Sequence, residues 1–197
     1  MKKLLNILIF LFIFLLYFVT FLMIYDNFRE RKLNSQEKNA LELFENKIEK
    51  KKQEENITNQ TYTVNYNGYT ILGKLEIPKI GLSTVILKEQ TYYAMNIGAV
   101  KTYGVDINEI GGFVISGHNF RGKTTFFYNI KNLKQGDIIR ITDNKNVQKD
   151  YTVYEVNRNV SPNDISYLNK TNDYHVTLVT CENGGKARIV VKAHIVE

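Results

Sequence analysis

Twenty-two residues near the start of the chain, Leu4 to Tyr25, carry only Asn6 and Thr20 as clearly polar interruptions. Wound as a helix at about 1.5 Å per residue they reach about 33 Å, enough to cross a hydrocarbon core of about 30 Å. A secretory signal peptide has a shorter apolar core and small residues at its cleavage point. Phe21-Leu22-Met23-Ile24-Tyr25-Asp26 offers none, so the run reads as an uncleaved anchor, which with the basic head occupies residues 1–25. Lys2 and Lys3 are answered by Arg29, Arg31 and Lys32 on the far side, and the positive-inside rule does not decide cleanly. The reading adopted is a single-pass protein of the cell membrane with a cytoplasmic N-terminus and an extracellular C-terminal domain. An exported domain with a single cysteine forms no internal disulfide, which suits that placement.

Residues 26–60 change to Lys, Glu, Asn and Gln, with Leu33, Ala40, Leu41, Phe44 and Ile48 at helical spacing. This predicts a polar helical stalk that either holds the next domain off the membrane or lays its narrow apolar stripe on it. Asn56-Ile57-Thr58 fits a glycosylation acceptor, a pattern too common to carry weight. Residues 61–197 are the right size for one domain. They hold short apolar or alternating runs at Tyr69–Ile77, Thr84–Leu87, Gly112–Ser116, Ile138–Thr142, Tyr151–Val156, His175–Thr180 and Arg188–Val196, separated by Gly, Asn, Asp or Pro. That pattern predicts a mostly β domain, an antiparallel sandwich or a closed barrel. After the anchor the net charge is +4, from 24 basic and 20 acidic residues. No dense basic stripe or RNA-binding aromatic motif is present, so nucleic acid is not an expected partner.

Two stretches carry candidate chemistry. In Thr177-Leu178-Val179-Thr180-Cys181, the only cysteine ends a strand, and Asn183-Gly184-Gly185 signals a hairpin back into Arg188. With Gly184 and Gly185 as the turn, Cys181 falls opposite Arg188, with Cβ atoms roughly 5 Å apart. A wider loop is equally writable. A thiolate is the nucleophile, and a fixed cation favours it over the thiol. The same guanidinium can stabilise an oxyanion on a substrate carbonyl. The alternative is a cysteine that serves as a small buried hydrophobe. In Gly111-Gly112-Phe113-Val114-Ile115-Ser116-Gly117-His118-Asn119, Gly117 lets the chain turn just before an imidazole placed to act as general acid or base, or to sit as an ordinary loop histidine.

A membrane anchor, an external β domain, a Ser-Gly-His segment, then Thr-Leu-Val-Thr-Cys and a strand-borne Arg resemble, in that order, the sortases, membrane-anchored cysteine transpeptidases of Gram-positive bacteria. The resemblance covers about Gly73 to Val196. It includes Gly73-Lys74-Leu75-Glu76-Ile77-Pro78-Lys79-Ile80 and Leu133-Lys134-Gln135-Gly136-Asp137-Ile138-Ile139. It implies a closed eight-stranded β-barrel with short helices, and a thiol protease-like enzyme that cuts an LPxTG-like sorting signal at its Thr-Gly bond. Cys181 would form the thioacyl intermediate, His118 would protonate the leaving amine and deprotonate the incoming one, and Arg188 would hold substrate and oxyanion. The implied partners are secreted proteins with a C-terminal sorting signal and an acceptor amine on a peptidoglycan precursor or a pilin. No cofactor is implied as required. The short hairpin after Cys181 and the 20 residues between Val156 and Thr177 suit a class A-like or class D-like enzyme rather than class B.

Thr180 either shapes the oxyanion site or is a buried strand threonine. His175 shares strand parity with Cys181, and His194 with Arg188, but six residues of strand is about 20 Å, too far for proton transfer. Asp106, Glu109 and Asp164 could contribute to a calcium site, which three scattered acids do not establish. A papain-like or NlpC-type peptidase places its cysteine before its histidine and at a helix start, the reverse of this order. The other reading is a catalytically inactive, membrane-tethered barrel that binds wall peptides or a protein partner.

Overall fold

The computed structural model describes residues 2–53, 63–119, 127–168 and 171–196. The Asn56-Ile57-Thr58 triplet lies outside the described residues. Helix α1 runs without a break over Lys2–Gln53, and its first half is long and apolar enough to cross a membrane. Its second half lies on the rest of the molecule: Ala40 and Phe44 are fully buried, with Leu41 and Ile48 half-buried beside them. That spacing puts the four side chains on one narrow stripe. Charge reinforces the seat, because Lys74 pairs with Glu45 of α1 at 2.7 Å and with Glu76 at 3.0 Å.

The strands are β1 (Val64–Tyr66), β2 (Tyr69–Ile77), β3 (Leu82–Leu87), β4 (Ala99–Gly104), β5 (Phe113–Gly117), β6 (Ile138–Asp143), β7 (Gln148–Val160), β8 (His175–Glu182) and β9 (Ala187–Ile195), with a short helix α2 (Tyr92–Met95) between β3 and β4. Hydrogen bonding follows β2-β3-β4-β5-β8-β9-β7-β6 and returns from β6 to β2, so eight strands close a barrel and β1 is added outside it on β2. Closure leaves these eight strands no free edge. All seven runs expected from the sequence are strands. Two junctions, β3–β4 and β5–β8, are parallel where antiparallel pairing was expected.

Period-2 alternation explains the interior. Leu75, Ile77, Ile86, Ile115, Ile139, Ile141, Leu178, Ile189 and Val191 point inward and are fully buried, around Phe113 and Tyr151. The buried Tyr151 hydroxyl donates to Asn108 Oδ1 at 2.9 Å, which spares it the cost of an unmet polar group. α1 covers a second apolar cluster on the outer side of β2 and β3, formed with Val64, Ile71, Val85, Leu87, Ala94, Ile97 and Val100. A third, smaller cluster of Val114, Val179 and Val190 on the outside of β5, β8 and β9 is capped by Tyr167 and Leu168 from the β7–β8 connection. There the Ser161-Pro162-Asn163-Asp164 segment leads into a single 3-10 turn at Ser166–Leu168, and Ile165 stays exposed.

Candidate active site

The parallel pairing of β5 with β8 matches Ser116 to Val179 and Gly117 to Thr180. His118 and Cys181 follow as the next residue on each strand, side by side at one end of the barrel, where neighbouring strands lie about 4.8 Å apart. Thr180 is buried, and by alternation Cys181 faces outward, where it is exposed. On the other flank, β8 and β9 pair Cys181 with Arg188 and Glu182 with Ala187, the register that the two-glycine turn requires. Asn183, Gly184 and Gly185 all take positive φ, at 50°, 66° and 93°, a run that glycines adopt without strain. The end of β7 pins the hairpin: Glu182 Oε2 accepts the Asn159 backbone N–H at 2.7 Å, and the Asn183 amide donates to Asn159 Oδ1 at 3.1 Å.

Each of the three side chains is held. Arg188 is half-buried, and its Nη1 donates to the Gly185 and Ala187 carbonyls at 2.9 and 3.0 Å. Among the described residues only that nitrogen is engaged, which leaves the other guanidinium donors for a ligand. The Asn119 amide donates to the Cys181 carbonyl, tying the chain beyond β5 to the end of β8. Burial holds the His118 imidazole below the ordinary histidine range, offset in part by a hydrogen bond to the Tyr92 backbone. The Tyr92 ring lies 5.2 Å from the imidazole, centroid to centroid. Gly117 takes an ordinary backbone conformation and makes no sharp turn. Its lack of a side chain is required by the Phe127 ring, 2.8 Å from where a Cβ would stand.

Thr180 is turned to the inner side, and its hydroxyl donates to the Gly117 carbonyl at 2.7 Å. It fastens the two strand ends that carry His118 and Cys181. His175 lies at the far end of β8, bonded to Thr177 Oγ1 at 3.2 Å, and with His194 it flanks the Tyr154 ring at 5.6 and 5.3 Å. Glu109 pairs with Lys145 at 3.2 Å, and Asp164 accepts the Ser166 N–H at 2.9 Å. Among the described residues no three His, Cys, Asp or Glu side chains gather as metal ligands. Along the outward face of β5 and β8, away from Cys181, a cavity of about 430 Å³ opens between Tyr103, Val105, Val114, Tyr167, Leu168 and His175.

Tyr92 and Asn119 were not singled out from the sequence. Asn119 directly follows the Gly-His pair and could have been suspected. Tyr92 reaches the site only because the crossover from β3 to β4 brings α2 to the end of β5, a placement that no local pattern announces.

A family model, the sortase domain, matches residues 75–196. Sortase A of Listeria monocytogenes is 26% identical over 118 residues, 60% of this chain and 52% of its own length. Sortase A of Bacillus anthracis is 30% identical over 111 residues, 56% of this chain and 52% of its own. The chain thus spans about half the length of these curated relatives. Among solved structures, a Clostridium perfringens sortase D5 transpeptidase superposes with a TM-score of 0.63 at 32% identity, covering 83% of this chain and 99% of that one. Sortase A from Corynebacterium diphtheriae gives a TM-score of 0.60 at 28% identity, over 64% of this chain and 61% of its own.

Proposed function

Because the chain belongs to the sortase family, we propose that it is a membrane-anchored cysteine transpeptidase whose chemistry is carried by Cys181, His118 and Arg188. The acyl donor is a secreted protein with an LPxTG-like signal near its C-terminus. The Cys181 thiol passes its proton to His118 as its sulfur attacks the threonine carbonyl, and the bond to glycine breaks as His118 hands that proton to the departing amine. The acyl group is left as a thioester. An amine of a peptidoglycan precursor or a pilin lysine then attacks that thioester and loses its proton to His118, and the C–S bond breaks. Two accessible steps replace one difficult amide exchange. Arg188 directs its remaining N–H donors at the oxyanion that forms in each step, and Thr180 keeps the two strand ends together. Upstream residues of the donor lie along the outward face of β5 and β8.

The reading rests above all on strand register: Gly117 with Thr180 and Cys181 with Arg188 bring an imidazole, an exposed thiol and a guanidinium to one end of one face. Class D-like assignment is favoured over class B by the match to the clostridial enzyme, by the tight Asn183–Gly185 turn and by the single 3-10 turn before β8. α1 anchors the enzyme with its N-terminus in the cytoplasm and the barrel outside.

The test is incubation of the detergent-solubilised chain, wild type and Cys181→Ala, with a panel of LPxTG-like peptides and a glycine-based amine, read by mass spectrometry. Thr-Gly cleavage with transfer to the amine, lost in the variant, is the expected result. A folded wild type with no cysteine-dependent product would favour a non-catalytic barrel that binds wall peptides or a protein partner.

A further inference from the structure

His118 has a neighbour outside the catalytic trio. Tyr92 opens helix α2, which is started by Thr91: its hydroxyl accepts the Ala94 N–H at 3.0 Å. The imidazole contacts the Tyr92 ring at 5.2 Å between centroids, and the Tyr92 backbone accepts its hydrogen bond. Two residues on, Ala94 is completely buried in the cluster that also holds Ala40 and Phe44 of α1, both fully buried. Only one turn of helix separates the contact with the imidazole from the apolar cluster that α1 covers. A unit that short cannot bend between its two ends, so a shift at one is felt at the other.

We propose that Tyr92 is a positioning residue for His118, and that α1, which shares one apolar cluster with α2 through Ala40, Phe44 and Ala94, sets where the imidazole stands. The proposal rests on reading His118 as the acid–base group, and adds that the helix which anchors the chain also completes the site. Catalysis and anchoring then share one apolar seat. A barrel whose α1 is lifted away would keep Cys181 and Arg188, which are fixed by strand pairing, and would lose the placement of His118.

Among the described residues the titratable groups at the near ends of the elements around His118 are Tyr92 and Tyr93 on α2, Cys181 and Glu182 on β8 and Arg188 on β9. The test uses the full chain in detergent micelles with labelled histidines. The sequence has three, so His175→Gln and His194→Gln assign the spectrum, and the signals of His175 and His194 report whether the barrel is folded. Tyr92→Ala removes the ring, Phe44→Ala empties the seat on α1, and Phe44→Leu serves if the alanine variant does not fold. Leu43→Ala, on the solvent side of the same helical turn, is the control.

Tyr92→Ala and the Phe44 variant are expected to raise the titration midpoint of His118 towards the ordinary histidine range. They are also expected to lower kcat about tenfold, part of the 10²–10⁴ that a well-placed acid–base group supplies, with KM little changed and the control at wild-type values. A Phe44 variant with native His175 and His194 signals but wild-type His118 titration and kcat would overturn the proposal. So would Tyr92→Ala with an unmoved His118. If the midpoint moves as expected while the wild type transfers no acyl group to any amine, the positioning contact stands and the transpeptidase reading fails.

Discussion

Gly117 and Arg188 show how far single residues decide this site. A Cβ on Gly117 would meet the Phe127 ring at 2.8 Å, so Gly117→Ala is expected to cost about 1–3 kcal/mol by overpacking. That cost reads as a lower melting temperature, and the displaced strand end brings with it a loss of transfer activity. Arg188→Lys keeps the charge and discards the planar fork that holds the Gly185 and Ala187 carbonyls while reaching a ligand. Its kcat is expected to fall about 10²–10³, the scale of losing an oxyanion donor, with thermal stability nearly unchanged; steady-state kinetics and a melting curve separate the two. The pairing of Cys181 with Arg188 was legible in the sequence because a two-glycine turn fixes what lies opposite what. The burial of Thr180 was one of its two readings, but its bond to the Gly117 carbonyl and the part played by Tyr92 were not legible, since each depends on a strand or helix brought from elsewhere in the chain.

The most consequential element is α1, whose docked half carries a titrating group at its seat. Burial pushes the Glu37 carboxyl up from 4.5 to about 7. A carboxyl raised on docking holds a proton that the undocked helix has released, so raising the pH from about 4.5 to about 7 weakens the seat, and further increase adds little. A spin-label pair between α1 and β2 should report a rising undocked fraction across that window, and Glu37→Gln should flatten the dependence. A wild-type helix whose docking ignores pH would refute this. The amphipathic stripe of α1 was visible as spacing, but spacing alone does not say what it faces. Strands β1 and β4 escaped notice for a related reason. β1 is three residues long, and β4 buries only Ala99 and Val100 in succession before running out to exposed residues, so neither shows alternation. The seven runs that did were each long enough to bury one face.

For the molecule as a whole, the closed barrel fixes the candidate site at one end of β5, β8 and β9, while α1 packs on β1, β2 and β3 and carries a first half long and apolar enough to cross a membrane. With the barrel outside, a membrane-impermeant maleimide should label the exposed Cys181 in intact cells and leave Cys181→Ala unlabelled; labelling only after lysis would reverse the orientation. The general plan, an apolar anchor followed by a β domain, follows from composition and periodicity. The eight-strand closure does not, since it needs β6 to return to β2, a contact between distant runs that only the family resemblance implied in advance. For the proposed transpeptidase the decisive chemistry is the thioester. Mixing the full chain with an LPxTG-like peptide, with no amine present, and weighing the intact protein should reveal an adduct equal to the peptide's acyl part through threonine. That adduct should be absent from Cys181→Ala and discharged by hydroxylamine. A folded wild-type chain that neither gains this mass nor cleaves the Thr-Gly bond would contradict the assignment of Cys181 as the nucleophile.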